Sequence, residues 1–171
     1  MNPKGLKATS SLIVIGARVV ESGANTFTQA QVDLQLNPLD NEVFVVQAID
    51  LNCSPPDATA GANSDTTCAI TTTSQAAMPQ FNSSNLLSKK ELAIRAAGFA
   101  DAGVAFDTGT SETPPSTLSY IGIISTNDFF IQVEGGGNGG TKVASAKVYG
   151  YRARADASVY AALVQSEVLS S

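Results

Sequence analysis

The sequence contains no histidine and no tryptophan, and aromatic residues make up only 6% of its 171 residues. The absence of histidine excludes the usual Ser-His-Asp and Cys-His catalytic arrangements and removes the commonest transition-metal ligand. Two cysteines alone cannot complete a zinc site. Without tryptophan, the chain also lacks the strongest aromatic platform for a sugar ring. We therefore predict that the protein is not an enzyme and takes no cofactor or small-molecule substrate.

Charged residues are scarce as well, at 15% of the chain, and 10 Lys and Arg oppose 15 Asp and Glu to give a net charge of -5. Such a domain is poorly suited to wrapping nucleic acid, because phosphate binding needs clustered positive charge. We expect no sequence-specific nucleic-acid partner. The surface must instead be rich in Ser, Thr, Asn, Gln, Gly and Ala, which suits a protein that packs against copies of itself.

Long apolar runs are also missing. The run Leu12 to Ile15 is too short for a signal-peptide core or a membrane span, so we expect synthesis in a cytoplasm without export cleavage. Cys53 and Cys68 bracket a polar loop at 54–67. Two states are open for them: a disulfide, which would contribute about 3 kcal/mol in the chain-entropy model, or two free thiols in a reducing compartment.

The chain does contain a succession of strand-like segments. The clearest is Phe27–Leu36, where apolar and polar residues alternate with a period of two. The longer apolar run Glu42–Leu51 predicts a strand that is covered on both faces. The predicted strands are Leu12–Val20, Phe27–Leu36, Glu42–Leu51, Thr66–Ser74, Val104–Phe106, Leu118–Ser125, Phe129–Glu134 and Lys142–Arg154.

The segments between these strands predict loops and turns. Residues 75–90 lack periodicity and 108–117 contain two prolines, so both predict loops. The segment Leu92–Phe99 is ambiguous: residues 91–97 fit a short helix, but Gly98 and Gly103 favour strands around them. Residues 126–128 predict a tight hairpin. The segment 135–140 matches a dinucleotide-binding glycine spacing, but a strand follows it rather than a helix, so it predicts a flexible hairpin loop.

One helix is predicted, at the C-terminus. Asp156 is a good N-cap, and Tyr160, Leu163 and Val164 lie on one helical face. We divide the chain into an N-terminal arm at 1–10, a β-sandwich domain at 11–155, and a C-terminal helix and tail at 156–171. The absence of β-α-β alternation favours an all-β, antiparallel sandwich or barrel.

Three groups of polar residues are candidate binding features. Arg152 and Arg154, with Lys147 on the other strand face, form the densest positive patch, which could contact nucleic acid, anionic lipid or acids of a neighbouring subunit. Lys4 and Lys7 are too few for a genome-packaging arm and predict a tie lying along a neighbouring subunit. The third group could hold calcium or simply fill a surface loop. Its members are Asp50, Asn52, Asp57, Asn63 and Asp65.

The stretch Thr113–Val133 (TPPSTLSYIGIISTNDFFIQV), the glycine segment after it and Lys147–Arg154 (KVYGYRAR) carry a resemblance to a known family. The sequence resembles the small single jelly-roll major capsid proteins of icosahedral, tailless viruses of bacteria and archaea, by pattern over most of the chain. The resemblance implies an eight-stranded antiparallel jelly roll whose copies form capsomer trimers or hexamers and close an icosahedral shell. Low positive charge suits a shell separated from its genome by an internal membrane or another protein.

With this resemblance, the protein would be made in the host cytoplasm and function in the virion with copies of itself and other capsid proteins. The turns near 54–67 and 108–117 would face outward or line the capsomer. Two other classes remain open: a subunit of an extracellular filament or adhesin, and a carbohydrate-binding β-sandwich, for which only Tyr149 and Tyr151 could supply an aromatic face. The candidate assembly contacts are Lys4, Lys7, Arg152, Arg154, Tyr160, Leu163 and Val164.

Overall fold

A computed structural model describes residues 3–109 and 118–170 of the chain. Within these residues the chain forms ten β-strands, a C-terminal α-helix and a 3-10 turn at Pro38–Asp40. The elements are β1 (Leu6–Ala8), β2 (Ile13–Val20), β3 (Thr28–Asp33), β4 (Glu42–Cys53), β5 (Ser64–Thr71), β6 (Leu86–Arg95), β7 (Val104–Gly109), β8 (Gly122–Ile124), β9 (Asp128–Gly136), β10 (Val143–Ala155) and α1 (Ala157–Ser170).

The strands form two antiparallel sheets of five strands each. Sheet A has the order β1-β10-β4-β8, with β2 also paired to β10, and sheet B has the order β3-β9-β5-β6-β7. One edge of β10 pairs first with β2 and then with β1, while its other edge pairs with β4. The chain is therefore mostly β, with two antiparallel sheets and a short C-terminal helix, as the sequence predicts. The strand count differs: the described residues form ten strands and not the predicted eight, because β1 lies in the predicted arm and β6 begins in a predicted loop.

The main hydrophobic core lies between the two sheets. Phe44 and Val148 of sheet A meet Ile70, Phe129 and Ile131 of sheet B there, and all five side chains are buried. Alternate residues of each strand reach this core because successive side chains of a strand point to opposite faces. Each such side chain contributes about 1.5–3 kcal/mol through burial.

A second, smaller core lies on the outer face of sheet A, under α1. Val43 and Val45 of β4 and Tyr151 of β10 are buried there, against Tyr160 and Leu163 of α1. Because the residues between them face the main core, β4 is covered on both faces over residues 43–46, as its sequence predicts. The prediction fails beyond residue 46, where residues 47, 48, 50 and 52 are exposed.

Strand β6 corrects two sequence predictions. Of the two alternatives for residues 91–97, the strand is correct for 91–95, and the predicted loop at 75–90 is wrong at its end because β6 begins at Leu86. β6 lies between β5 and β7, so its backbone groups pair on both sides. This pairing outweighs the modest intrinsic helix preference of a short segment.

The predicted hairpin at residues 126–128 is also wrong. β8 pairs with β4 in sheet A, whereas β9 pairs with β3 and β5 in sheet B, so the chain crosses between sheets here. Asn127 fixes the crossing: its backbone carbonyl accepts a hydrogen bond from the Leu34 amide at 2.8 Å, and its side chain accepts one from the Leu36 amide at 2.6 Å. A turn that bonds to a third segment cannot be told from a hairpin turn by its composition.

The glycine segment does not form a hairpin either. β9 continues through Gly136, and the chain then passes from sheet B to β10 in sheet A. The predicted loop at 108–117 is partly replaced by the end of β7 at Gly109, and residues 110–117 lie outside the described residues. None of the described helices combines the length and the apolar character that crossing a membrane would require.

Candidate functional site

Over the described residues 3–10, the predicted N-terminal arm lies along its own domain. β1 pairs with the end of β10, which places Lys7 opposite Arg154. Gly5 adopts a positive φ of 82°, and a side chain there would press against Val159 of α1. Lys4 and Lys7 are exposed, and neither forms an ion pair with a described residue. The two ammonium groups therefore remain accessible to a partner, although the backbone around them is docked.

Arg152 and Arg154 find acidic partners within their own chain. The Arg152 guanidinium lies 3.2 Å from the Glu42 carboxylate and donates a hydrogen bond to the Leu34 carbonyl at 2.8 Å. Arg154 forms an ion pair with Asp40 at 3.0 Å. These contacts tie β10 to the connection between β3 and β4. Acidic partners for both arginines are thus present in the same chain.

The three candidate contact residues of α1 lie against their own domain. Tyr160 and Leu163 pack on the outer face of sheet A. Val164 lines a cavity of about 330 Å³ together with Leu36 and Pro38. All three residues are half-buried, so part of each side chain remains exposed.

Both ends of α1 are fixed by carboxylates. Asp156 is the predicted N-cap: it accepts hydrogen bonds from the Val159 amide at 2.9 Å and the Ser158 hydroxyl at 3.0 Å, and these bonds lower its pKa. At the other end the buried Glu167 accepts bonds from the Ser125 hydroxyl and the Thr126 amide, each at 2.7 Å. The helix is therefore part of the folded domain and not a free arm.

Cys53 and Cys68 form a disulfide that joins the end of β4 in sheet A to β5 in sheet B. Their Cα atoms are 6.1 Å apart, and both residues are buried in the main core. The bond closes the polar loop at 54–67 and links the two sheets near one end of the sandwich.

A lysine neutralises the acidic loop at 54–67. The buried Lys142 ammonium lies 2.8 Å from the Asp57 carboxylate and donates a second hydrogen bond to the Pro55 carbonyl at 2.9 Å. The Gly139 amide also donates to Asp57, at 2.8 Å. The bond from Lys142 and then the bond from Gly139 lower the pKa of Asp57. This arrangement places a protein cation where a loop carboxylate could otherwise hold a metal.

The other proposed calcium ligands are dispersed. Asp50 accepts a hydrogen bond from the Tyr149 hydroxyl at 3.1 Å, Asn63 accepts from two backbone amides at 3.0 Å, and Asp65 lies 3.9 Å from Arg95. Across residues 3–109 and 118–170, no group of three or more His, Cys, Asp or Glu residues is placed to hold a metal ion.

The glycine segment is held by a buried carboxylate. Glu21 accepts hydrogen bonds from the amides of Thr26, Gly135 and Lys142 at 3.0, 2.6 and 2.7 Å. The segment is thus fixed by specific bonds, unlike the free hairpin loop that its composition predicts. A phosphate cradle needs unpaired backbone amides, and the amides of Gly135, Gly139 and Lys142 already bond to carboxylates of the chain.

Beyond α1, the outer face of sheet A is uncovered by any described residue. We call this region, formed by Gly16 and Arg18 of β2, Asp50 of β4, and Ser145 and Lys147 of β10, the bare half. In the strand register Lys147 lies between Gly16 and Asp50, and Ser145 lies beside Arg18. An open depression of about 830 Å³ is lined by these residues, by their strand neighbours and by Lys90 of β6 in sheet B.

The two tyrosines suggested as a sugar platform have different environments. The Tyr149 hydroxyl bonds to Asp50, which raises the pKa of the phenol. Tyr151 is buried under α1, and this burial raises its pKa. The pair therefore does not present two exposed rings to a ligand.

Strand β7 forms one edge of sheet B and is exposed along its length. Val104 is 48% exposed and Phe106 is 54% exposed, and within the described residues the strand pairs only with β6. Its free edge offers unpaired backbone groups beside apolar side chains, a combination that natural proteins usually cover or block.

Several residues that organise these surfaces escaped the sequence analysis. Glu21 and Glu167 are buried acids. They were missed because an acid at the end of a strand or within an amphipathic helix is ordinarily predicted to lie on the surface. The sequence assigns no role to Arg18 because the residues beside it in the bare half come from distant segments. The one available signal is that Arg18 and Gly16 share a strand face by their spacing.

No protein-family model matches this chain, and a search of curated proteins finds no significant match.

Proposed function

We propose that this chain is a structural virion protein, a capsid protein whose copies assemble into an icosahedral shell. The observation that carries the proposal is the order in which the strands pair. The pairs β2 with β10, β3 with β9, β4 with β8 and β5 with β6 are all antiparallel. Along the sequence each pair lies inside the one before it, as in a long antiparallel ribbon that is folded back at its middle. Rolling such a ribbon into two facing sheets produces a jelly roll.

Two further pairings support the jelly-roll assignment. β10 pairs with β4, and β5 pairs with β9, so each sheet contains two segments of the ribbon side by side. Without β1 and β7, the sheets are β2-β10-β4-β8 and β3-β9-β5-β6. Double-sheet jelly rolls of eight strands occur in viral capsid proteins, as well as in lectins and cupins.

The surface chemistry favours assembly over ligand binding. The proposed sugar platform is divided between a phenol bonded to Asp50 and a buried Tyr151. In contrast, the free edge of β7 carries Val104 and Phe106 in the open, where a neighbouring copy could cover them. A shell needs only weak contacts of this kind, because many of them act together.

The proposal is tested by adding charge to this edge. Val104→Lys with Phe106→Lys is expected to abolish particle formation in light scattering and leave the monomer folded by circular dichroism, since both side chains are exposed. The matched control is Leu39→Lys, at a side chain that is 93% exposed on a 3-10 turn, and it should assemble normally. Unchanged assembly of the double variant would show that β7 is not an assembly contact. A wild-type protein that stays monomeric at all concentrations would contradict the capsid function.

A further inference from the structure

Two cations of the bare half have no ion-pair partner. Among the described residues, Arg18 and Lys147 are exposed and form no ion pair, whereas Lys142, Arg152 and Arg154 all do. The acid nearest in the strand register, Asp50, lies opposite Lys147 and accepts its hydrogen bond from Tyr149. The bare half therefore carries uncompensated positive charge on a chain whose net charge is -5.

The depression concentrates this charge. Three cations line it, namely Arg18, Lys147 and Lys90, against one acid, Asp50, and Lys90 is already 3.6 Å from Asp107. Gly16 opens the space beside Lys147, because a side-chain carbon added there would meet no heavy atom within 4 Å. The depression of about 830 Å³ has room for a phosphate-sized anionic group between Arg18 and Lys147.

Exposed aliphatic side chains flank the two cations. Val14 and Val20 lie on the same face of β2 as Arg18, by strand alternation, and are 51% and 38% exposed. Cations beside exposed aliphatic groups match a membrane interface, where the charge meets lipid headgroups and the apolar groups enter the acyl boundary. A nucleic acid would favour several aromatic rings for its bases, whereas the bare half has only Tyr149 beside it among the described residues, and the hydroxyl of that ring is bonded to Asp50.

We propose that the bare half of sheet A is a membrane-contact face that holds an anionic phospholipid headgroup between Arg18 and Lys147. The identity of this membrane, one enclosed by the shell, rests on the proposed capsid function. Binding to an anionic lipid surface does not depend on assembly, so the two proposals fail separately.

The experiment is flotation of the full chain with vesicles of phosphatidylcholine alone or of phosphatidylcholine with phosphatidylglycerol. We expect binding only to the anionic vesicles, weakening as salt is added. Each cation near such a surface contributes about fivefold, so Arg18→Gln with Lys147→Gln should reduce binding about thirtyfold. The matched control, Lys4→Gln with Lys7→Gln, removes the same charge elsewhere and should bind within about twofold of wild type, and Val14→Ser should weaken binding without changing its salt dependence.

Equal losses in the Arg18/Lys147 variant and in the Lys4/Lys7 control would overturn the site, because they would reflect net charge alone. Binding of single-stranded DNA that depends on Arg18 and Lys147, without vesicle binding, would also overturn the inference. Vesicle binding by a protein that never forms particles would keep the membrane face and remove the capsid function. Particle formation without vesicle binding would keep the capsid function and contradict the membrane-contact face.

Discussion

The outer face of sheet A is divided into two halves that the same strands build. On β10, Tyr151 and Ala153 are buried under α1, while Lys147, earlier on the same face, is exposed. On β4, Val43 and Val45 are buried and Asp50 is exposed. Forming a strand therefore does not by itself bury these outer-face positions. They are buried only at the end of the sheet that α1 covers.

The two halves also differ in their polar chemistry. In the covered half and its margins, the carboxylates of Glu42 and Glu167 each bond to a partner in the chain. In the bare half, Arg18 and Lys147 have no such partner among the described residues. We infer that the first half maintains the fold of the subunit and that the second half is available to something outside it.

The largest effect is expected from one substitution that is placed once in the main core and once in the bare half. At Gly150, where the register of β10 and β4 shifts, an added side-chain carbon would collide with the Val45 carbonyl and the Phe44 ring. We expect Gly150→Ala to lower the free energy of unfolding by about 3 kcal/mol. Gly16→Ala, in the bare half, should be neutral or stabilise by up to about 1 kcal/mol. Chemical denaturation measures both, and equal effects would contradict the distinction between the main core, which Gly150 faces beside Phe44, and the bare half.

The disulfide tests how the bare end of the sandwich is held. Cys53→Ala with Cys68→Ala, which opens a link of sequence separation 15, should lower the free energy of unfolding by about 3 kcal/mol in the chain-entropy model. Adding a reductant to the wild-type protein should produce a similar shift and leave the double variant unchanged. A reductant that shifts both proteins equally would show that the loss does not come from this bond.

Removing the Glu167 carboxylate, which fixes the end of α1, should loosen the helix and expose the covered half of sheet A. Glu167→Ala leaves the amides of Ser125 and Thr126 without their acceptor, at a cost of about 2 kcal/mol. Amide exchange should rise at Val43 and Val45 under the helix. The control is Gln165→Ala, at an exposed position of α1, which should leave both stability and exchange unchanged. Unaltered exchange in Glu167→Ala would mean that the apolar contacts alone hold the helix.

The smallest effect is expected at the loop end of the sandwich, from pH. The bond with Lys142 lowers the pKa of Asp57 below its ordinary value of 3.8. A carboxylate with a lowered pKa stabilises the folded state above the unfolded value, and this contribution is lost as the pH falls through the folded pKa. The free energy of unfolding should therefore fall more steeply below about pH 4 in wild type than in Asp57→Asn. Parallel curves for the two proteins would show that the pair adds nothing to acid stability.

The parts of the fold that follow from local pattern are predictable from the sequence. The alternation in Phe27–Leu36, of which Thr28–Asp33 form strand β3, the apolar run of β4 and the cap at Asp156 all depend on near neighbours along the chain. The predicted hairpin at 126–128 failed because Asn127 bonds to Leu34 and Leu36, which are distant in sequence. Strand β6 was misjudged because its pairing with β5 and β7 depends on distant segments.

The candidate sites also depend partly on local sequence and partly on contacts between distant segments. For Arg152 and Arg154 the sequence suggests acidic partners on a neighbouring subunit, and only the fold shows that Glu42 and Asp40 of the same chain lie beside them. The depression beside Gly16 needs three strands in register, and sequence order alone does not give that register. Composition predicts a surface that suits assembly, but it does not predict which face of the sandwich stays uncovered.

The most direct test of the account is the size and shape of the native protein, measured by light scattering and negative-stain microscopy on the same sample. The account predicts closed isometric particles, or stable trimers or hexamers that close into such particles as concentration rises. Open helical fibres would contradict the shell and favour a filament subunit, and a monomer at every concentration and salt would contradict assembly altogether.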